Sequence, residues 1–246
     1  MIVVWLLLAA IAGLFAASVI WTLADKQIRG RLTHLRPTCL SCGEALPHRT
    51  WLPLSWLVDG GRCPNCGDSD AIPRRRWEIA VAVYLAAAVL LLDAGDSWVR
   101  LLIASLPLLL ILAVDLKVQA VFLQACYLAV VVGLFLGLTE SASEAADSMA
   151  GMAIAMILAA IFLLITRWLY RSLNVRTTPM GLTDLYIAAA AGAIVRADAL
   201  VPAMVAAVLM AAAYGIVGPV LRPRMRSRLA PFGPFLCAGG LVALLL

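Results

Sequence analysis

The sequence predicts an all-α polytopic membrane protein, a bundle of eight transmembrane helices with a small cytoplasmic insert between helices 1 and 2. Three observations carry that prediction. Of the 246 residues, 64% are apolar and only 13% are charged, with a mean hydropathy of +0.99; soluble globular domains lie far from these values. The apolar residues gather into eight runs of membrane-helix character. The basic residues fall almost wholly in alternate connections between those runs, as the positive-inside rule requires. The net charge of +5 is therefore topology, and nucleic acid is not an expected partner.

The first run, Met1 to Leu23, carries no charge and is long enough to cross a bilayer. No basic residues precede it, as they would in a cleavable signal peptide. Positive charges follow at Lys26, Arg29 and Arg31. The amino terminus is thus expected outside, with residues 1–24 as the first transmembrane helix and the next segment in the cytoplasm.

Residues 25–77 form the polar insert. Trp51, Trp56 and several prolines give it some apolar material, but a unit of this size needs a staple. Cys39-Leu40-Ser41-Cys42 and Cys63-Pro64-Asn65-Cys66 are two Cys-x2-Cys knuckles at the spacing of a structural zinc site. Disulfides are the alternative, and a reducing cytoplasm disfavours them. Four thiolates, Cys39, Cys42, Cys63 and Cys66, would close a tetrahedral shell and make the Zn2+ structural. His34 and His48 are expected on the surface.

Residues 78–246 form the remaining seven-helix membrane domain. Its runs are Ile79 to Leu92, Leu101 to Val114, Val118 to Thr139, Ser148 to Thr166, Leu185 to Val195, Ala199 to Leu221 and Leu229 to Leu246. With the amino terminus outside, the inner connections hold nine basic residues between 25 and 76, then Lys117, then Arg167, Arg171 and Arg176, then Arg222, Arg224, Arg226 and Arg228. The outer ones hold Arg100 and Arg196 alone, beside Asp93, Asp96, Glu140, Glu144, Asp147 and Asp198. The asymmetry supports both the number of spans and their direction. The arginines 222 to 228 also suit anionic lipid.

Two acids break the pattern. Asp115 closes the run from Leu101, and Asp184 opens the run from Leu185, so both fall on the inner side. The flanking charge-free runs would span about 21 Å and about 17 Å as helix, short of roughly 30 Å of hydrocarbon. These helices must take in the aspartates, which places both carboxylates just inside the membrane edge, facing the bundle interior, with Glu78 at a similar level. An ordinary helix-end aspartate is the bland alternative for each; an ionisable residue at such depth is otherwise a mark of function. Thr183 is placed to cap the helix beginning near Asp184. Cys126 and Cys237, inside apolar runs, are expected to be packing residues, Lys117 a topology anchor, and the small residues from Ala188 to Ala193 a close helix contact.

Paired carboxylates share one proton. The ionised member activates water and the protonated member donates to a carbonyl oxygen, the division of labour that peptide hydrolysis needs. Asp115 and Asp184 are the candidate catalytic pair, with roles assigned to the pair.

The chain resembles the type IV prepilin peptidases over nearly its whole length. The resemblance lies in Pro37-Thr38-Cys39-Leu40-Ser41-Cys42-Gly43, Leu52-Pro53-Leu54-Ser55-Trp56-Leu57, Gly61-Arg62-Cys63-Pro64-Asn65-Cys66, Ile72-Pro73-Arg74-Arg75-Arg76-Trp77-Glu78 and Ala230-Pro231-Phe232-Gly233-Pro234-Phe235-Leu236, with Asp115 and Asp184 where the family has its two catalytic aspartates. It implies a multi-pass protein of the bacterial inner membrane that removes a short basic leader from prepilins or pseudopilins of type IV pilus or type II secretion systems. It implies also methylation of the new amino terminus from S-adenosylmethionine. The chain departs from the family where Gly181-Leu182-Thr183-Asp184 replaces a Gly-Xaa-Gly-Asp motif, and around Gln119-Ala120-Val121-Phe122, where an Ile-Pro-Asp stretch is missing.

Two other classes compete: a non-catalytic membrane scaffold that binds a pilin-like helix, and a proton-coupled transporter using the two aspartates as a relay. A transporter more often shows midplane charges and related halves, and here the charges lie at one edge.

Overall fold

The structure, a computed structural model, describes residues 2–28, 38–39, 41–59, 62–68, 71–92, 96–118, 122–172, 181–221 and 232–246. Within them the chain forms α1 (Ile2–Ile28), a 3-10 turn (His48–Trp51), α2 (Ser55–Asp59), α3 (Ala71–Leu91), α4 (Asp96–Val118), α5 (Leu123–Glu140), α6 (Ala142–Ser172), α7 (Thr183–Val195), α8 (Leu200–Leu221) and α9 (Gly233–Ala243). An isolated antiparallel bridge joins Thr38 and Ala45. Each of the eight apolar runs falls on a helix, and α2 is an addition within the insert. Among the described residues, five helices are long and apolar enough to cross a membrane: Val3–Ile28, Trp98–Val118, Leu123–Glu140, Ala142–Ser172 and Leu200–Val217. The other three fall short for visible reasons. The first eight residues of α3 include Arg74, Arg75, Arg76 and Glu78, while α7 and α9 have 13 and 11 residues. The basic cluster 222–228, His34 and residues 119–121 lie outside the described residues.

The chain divides into two compact units, Met1–Leu102 and Ile103–Leu246, with the division inside α4. In the first, α1 and α3 form an antiparallel hairpin. A Cβ on Gly13 would sit 2.7 Å from the Ala82 Cα, so the backbones touch there as small residues permit. The Trp77 indole donates to the Ala17 carbonyl at 3.1 Å and its ring lies 5.9 Å from that of Trp21. Next along the hairpin is a buried ion pair, Arg74 with Glu78, at 2.9 Å. Arg74 Nη2 also donates to Ser18 Oγ (2.5 Å) and to the carbonyls of Thr50 (2.6 Å) and Leu52 (3.2 Å). Glu78, fully buried, accepts from Leu54 N–H (3.0 Å) and the Trp56 indole (2.9 Å). Two charges taken out of water persist only when paired and fully bonded; here those bonds fasten residues 50–56 to both helices. They also hold Leu54 at φ 59, a conformation a branched residue avoids unless its surroundings impose it.

In the second unit, α5 and α6 are antiparallel about a turn at Ser141, whose N–H bonds back to the Gly137 carbonyl. Every residue of α7 from Ile187 to Val195 is buried, the mark of a helix enclosed on all sides. Its small residues allow this: a Cβ on Gly192 or Gly151 would strike the other's carbonyl, and one on Gly133 would lie 2.7 Å from the Ala193 carbonyl carbon. Arg196, at the carboxyl end of α7, pairs with Glu140 at 2.5 Å and with Glu144, pinning that end to the α5–α6 turn. A cation there also complements the helix dipole. Enclosed by protein, α7 can be only about 20 Å long without exposing backbone to lipid.

Candidate active site

Asp115 sits in the last turn of α4 and Asp184 in the first turn of α7. The two helices run antiparallel, so these ends adjoin. Both carboxylates are buried, with residue exposures of 3% and 7%. The backbone fixes Asp184 locally: its Oδ2 accepts the Gly181 N–H at 2.8 Å, while its own N–H donates to the Gly181 carbonyl at 3.2 Å. A carboxylate in the first turn of a helix is favoured by the unpaired N–H groups there. The expectation that Thr183 caps this helix is not met. The capping position is Leu182, with φ −62, ψ −28 and no side-chain cap bond. Thr183 is the first helical residue, so it lies past the position from which a hydroxyl caps. Asp184 secures the turn instead, from inside the helix.

The third wall comes from α9. A Cβ built on Gly233 would lie 2.5 Å from Asp115 Oδ2, 3.1 Å from Asp184 Oδ1 and 2.7 Å from Ile187 Cδ1. Two oxygens that near one point are within about 6 Å of each other, the range over which neighbouring charges control protonation. Gly233 is therefore the place where the lack of a side chain lets the two acids meet. Phe232 before it stacks on Phe162 of α6, ring centroids 5.3 Å apart, and Pro234 follows in the first turn. One turn further along, Cys237 is fully buried. Gly233 lies within the motif Ala230 to Leu236, where the sequence alone gives it no role. Its signal was a glycine between two prolines at the start of an apolar run, and the helices that converge on it belong to distant parts of the chain. Lys117 is part-buried two residues beyond Asp115. Glu78 belongs to the clasp of the first unit.

The cysteines form a separate cluster. Cys39, Cys42, Cys63 and Cys66 place their sulfurs within 4.8 Å of one another, with Cys39–Cys66 at 3.6 Å and Cys42–Cys63 at 3.7 Å. Thiolates at 2.3 Å from a tetrahedral zinc are about 3.8 Å apart, so the donor set fits that ion. The two knuckles repeat one backbone pattern. Gly43 N–H bonds to the Cys39 carbonyl (3.0 Å) and Gly67 N–H to that of Cys63 (2.9 Å); Cys39 N–H bonds to the Glu44 carbonyl and Cys63 N–H to that of Asp68. Both glycines take positive φ, 79 and 70, which glycine adopts without strain. Ser41 Oγ joins the knuckles by a bond to Asp68. The backbone N–H groups of Cys66 and then Asn65 pull the Cys63 thiol down to about 7, while burial pushes the Cys39 thiol up. His48 is exposed.

Residues 7–92 match the family model of the bacterial peptidase A24 N-terminal domain. The chain is also similar to the prepilin leader peptidase/N-methyltransferase of Burkholderia pseudomallei, in strains 1026b and K96243, each at 31% identity over 213 residues covering 85% of this chain and 66% of the relative. No solved structure matches. The matched N-terminal segment carries the knuckles and the Arg74–Glu78 clasp, and the longer alignment extends the likeness well beyond it: the chain belongs to the type IV prepilin peptidase family.

Proposed function

We propose that this protein is an intramembrane aspartyl endopeptidase that removes the basic leader from prepilins or pseudopilins at the cytoplasmic edge of the bacterial inner membrane. One observation carries the reading: two buried carboxylates, Asp115 and Asp184, converge on the side-chain-free surface of Gly233. The pair holds one proton. The ionised carboxylate takes a proton from water as its oxygen attacks the scissile carbonyl carbon, and the protonated one donates to the carbonyl oxygen. Collapse of the tetrahedral species breaks the C–N bond, with a proton returned to the amine, and the pair regains its starting state. The Gly181 N–H bond holds Asp184 in place throughout.

The topology that goes with this is eight spans with the amino terminus outside, α3, α7 and α9 crossing in the company of longer neighbours. The two acids then lie near the inner leaflet, where a leader kept inside by its positive charges ends. Cys39, Cys42, Cys63 and Cys66 would hold a zinc ion that shapes the insert and, with its shell full, takes no part in hydrolysis. Methylation of the new terminus from S-adenosylmethionine rests on the family likeness alone, and no residues of this chain are assigned to it.

The experiment is to incubate purified protein in lipid nanodiscs with a prepilin-like peptide and follow leader loss by mass. Cleavage ahead of the apolar helix supports the peptidase. Thr183, standing where the family has glycine, favours a second reading, a divergent relative that binds the pilin helix without cutting it. Binding without turnover across a range of pH and lipid would establish that one instead.

A further inference from the structure

Leu52, Leu54 and Leu57 lie within six residues of one another and are 53%, 37% and 64% exposed, in a segment that begins with the 3-10 turn and ends in α2. Leucines that exposed on a small, firmly held unit mark an interaction surface. What they face follows from where the segment is fastened. Arg74 ties the Thr50 and Leu52 carbonyls to Ser18 Oγ, and Thr22 Oγ1 donates to the Thr50 carbonyl at 3.4 Å. Ser18 and Thr22 belong to the apolar stretch Val3–Ile28, whose first charges are Asp25 and Lys26. Counting back from Asp25, residues 22 and 18 lie roughly 5–10 Å up the helix. That is the depth at which interfacial segments bury apolar side chains. Beside the leucines stands an exposed arginine, Arg75, which lies over the Trp56 ring at 5.3 Å from its centroid. Tryptophan with arginine beside exposed leucine is the composition of a headgroup boundary.

We propose that residues 50–57 are a membrane-interface wedge: Leu52, Leu54 and Leu57 insert at the acyl-chain boundary of the leaflet where α1 ends, and Arg75 holds anionic lipid headgroups above them. The insert is thereby only partly in the cytoplasm; the knuckles project from it while this segment sits in the bilayer surface. The Arg74–Glu78 pair sets its depth, since Arg74 holds the Thr50 and Leu52 carbonyls and Glu78 holds the Leu54 N–H that anchor it. This inference depends on α1 crossing the membrane and is independent of the aspartate chemistry.

The test uses the full chain in nanodiscs of phosphatidylethanolamine with a minor fraction of phosphatidylglycerol. The photoprobe p-benzoylphenylalanine is placed at Leu57, or in a second variant at Leu52. Both sites are exposed enough to take the probe without displacing a neighbour, and bound metal checks that the insert is folded. After irradiation, lipid adducts are expected at both positions, with phosphatidylglycerol enriched roughly fivefold over its share of the bilayer and the enrichment reduced by Arg75→Gln. Crosslinks to a second protein chain, or no lipid adduct at either position, would overturn the wedge. Adducts in simple proportion to lipid content, unchanged by Arg75→Gln, would overturn the arginine–headgroup contact.

Discussion

Gly233→Ala adds a single methyl group where α4, α7 and α9 meet. Ordinary carbon contacts begin near 3.4 Å, and the new Cβ would lie 2.5 Å from Asp115 Oδ2 and 2.7 Å from Ile187 Cδ1. One carboxylate oxygen must then retreat by roughly 1 Å, and a displacement of that size at a catalytic group costs about 10²-fold in rate. Overpacking of this kind also destabilises by about 1–3 kcal/mol. The assay is kcat/KM for leader removal from a prepilin-like peptide, with Tm recorded on the same samples. The two effects can be separated. Adding Ile187→Val removes the methyl group at 2.7 Å and leaves the clash with Asp115, so Tm should recover while cleavage stays low. Gly215→Ala serves as control, since nothing lies within 4 Å of a Cβ there, and it should leave the rate unchanged. Wild-type kcat/KM in Gly233→Ala, with the protein folded, would refute the idea that this glycine brings the acids together.

Three further outcomes are expected. Glu78→Ala leaves Arg74 buried without its partner and strips acceptors from the Leu54 N–H and the Trp56 indole, so it should cost about 3–5 kcal/mol, read as a lower midpoint in denaturant titration; Glu78→Gln, keeping acceptor oxygen, should cost less. Purified protein should contain one zinc per chain by elemental analysis, and Cys63→Ser or prolonged chelation should remove it and increase proteolysis within residues 38–68. The rate of cleavage should fall at both low and high pH, because the mechanism needs one proton on the pair and loses activity when it holds two or none.

The helices were legible in the sequence because apolar runs between charged connections leave little choice of structure, and α5, α7 and α8 lie close to their expected places. Helix ends were less so. α3 begins at Ala71 and not after Glu78, since Arg74, Arg75 and Arg76 read as loop until the structure shows Arg74 buried against Glu78. Proline near the start of that helix, at Pro73, is tolerated because first-turn N–H groups need no intrahelical partner. α6 continues to Ser172, past Arg167 and Arg171, because exposed arginines end an apolar run without ending a helix. The knuckle spacing led to the cysteine cluster because both halves of each pair are local. Gly233 was hidden for the opposite reason: its meaning lies in residues 118 and 49 positions away, and only the folded chain brings them to it.

The most direct measurement is the single-turnover rate of leader cleavage in nanodiscs for Asp115→Asn, Asp184→Asn and the double variant, with folding checked by bound zinc and Tm. If the two carboxylates act as one unit, each single change removes about 10³-fold or more of the rate and the double change removes little further. A single variant that keeps near wild-type cleavage would contradict the account, because one acid would then be sufficient for the chemistry assigned to both.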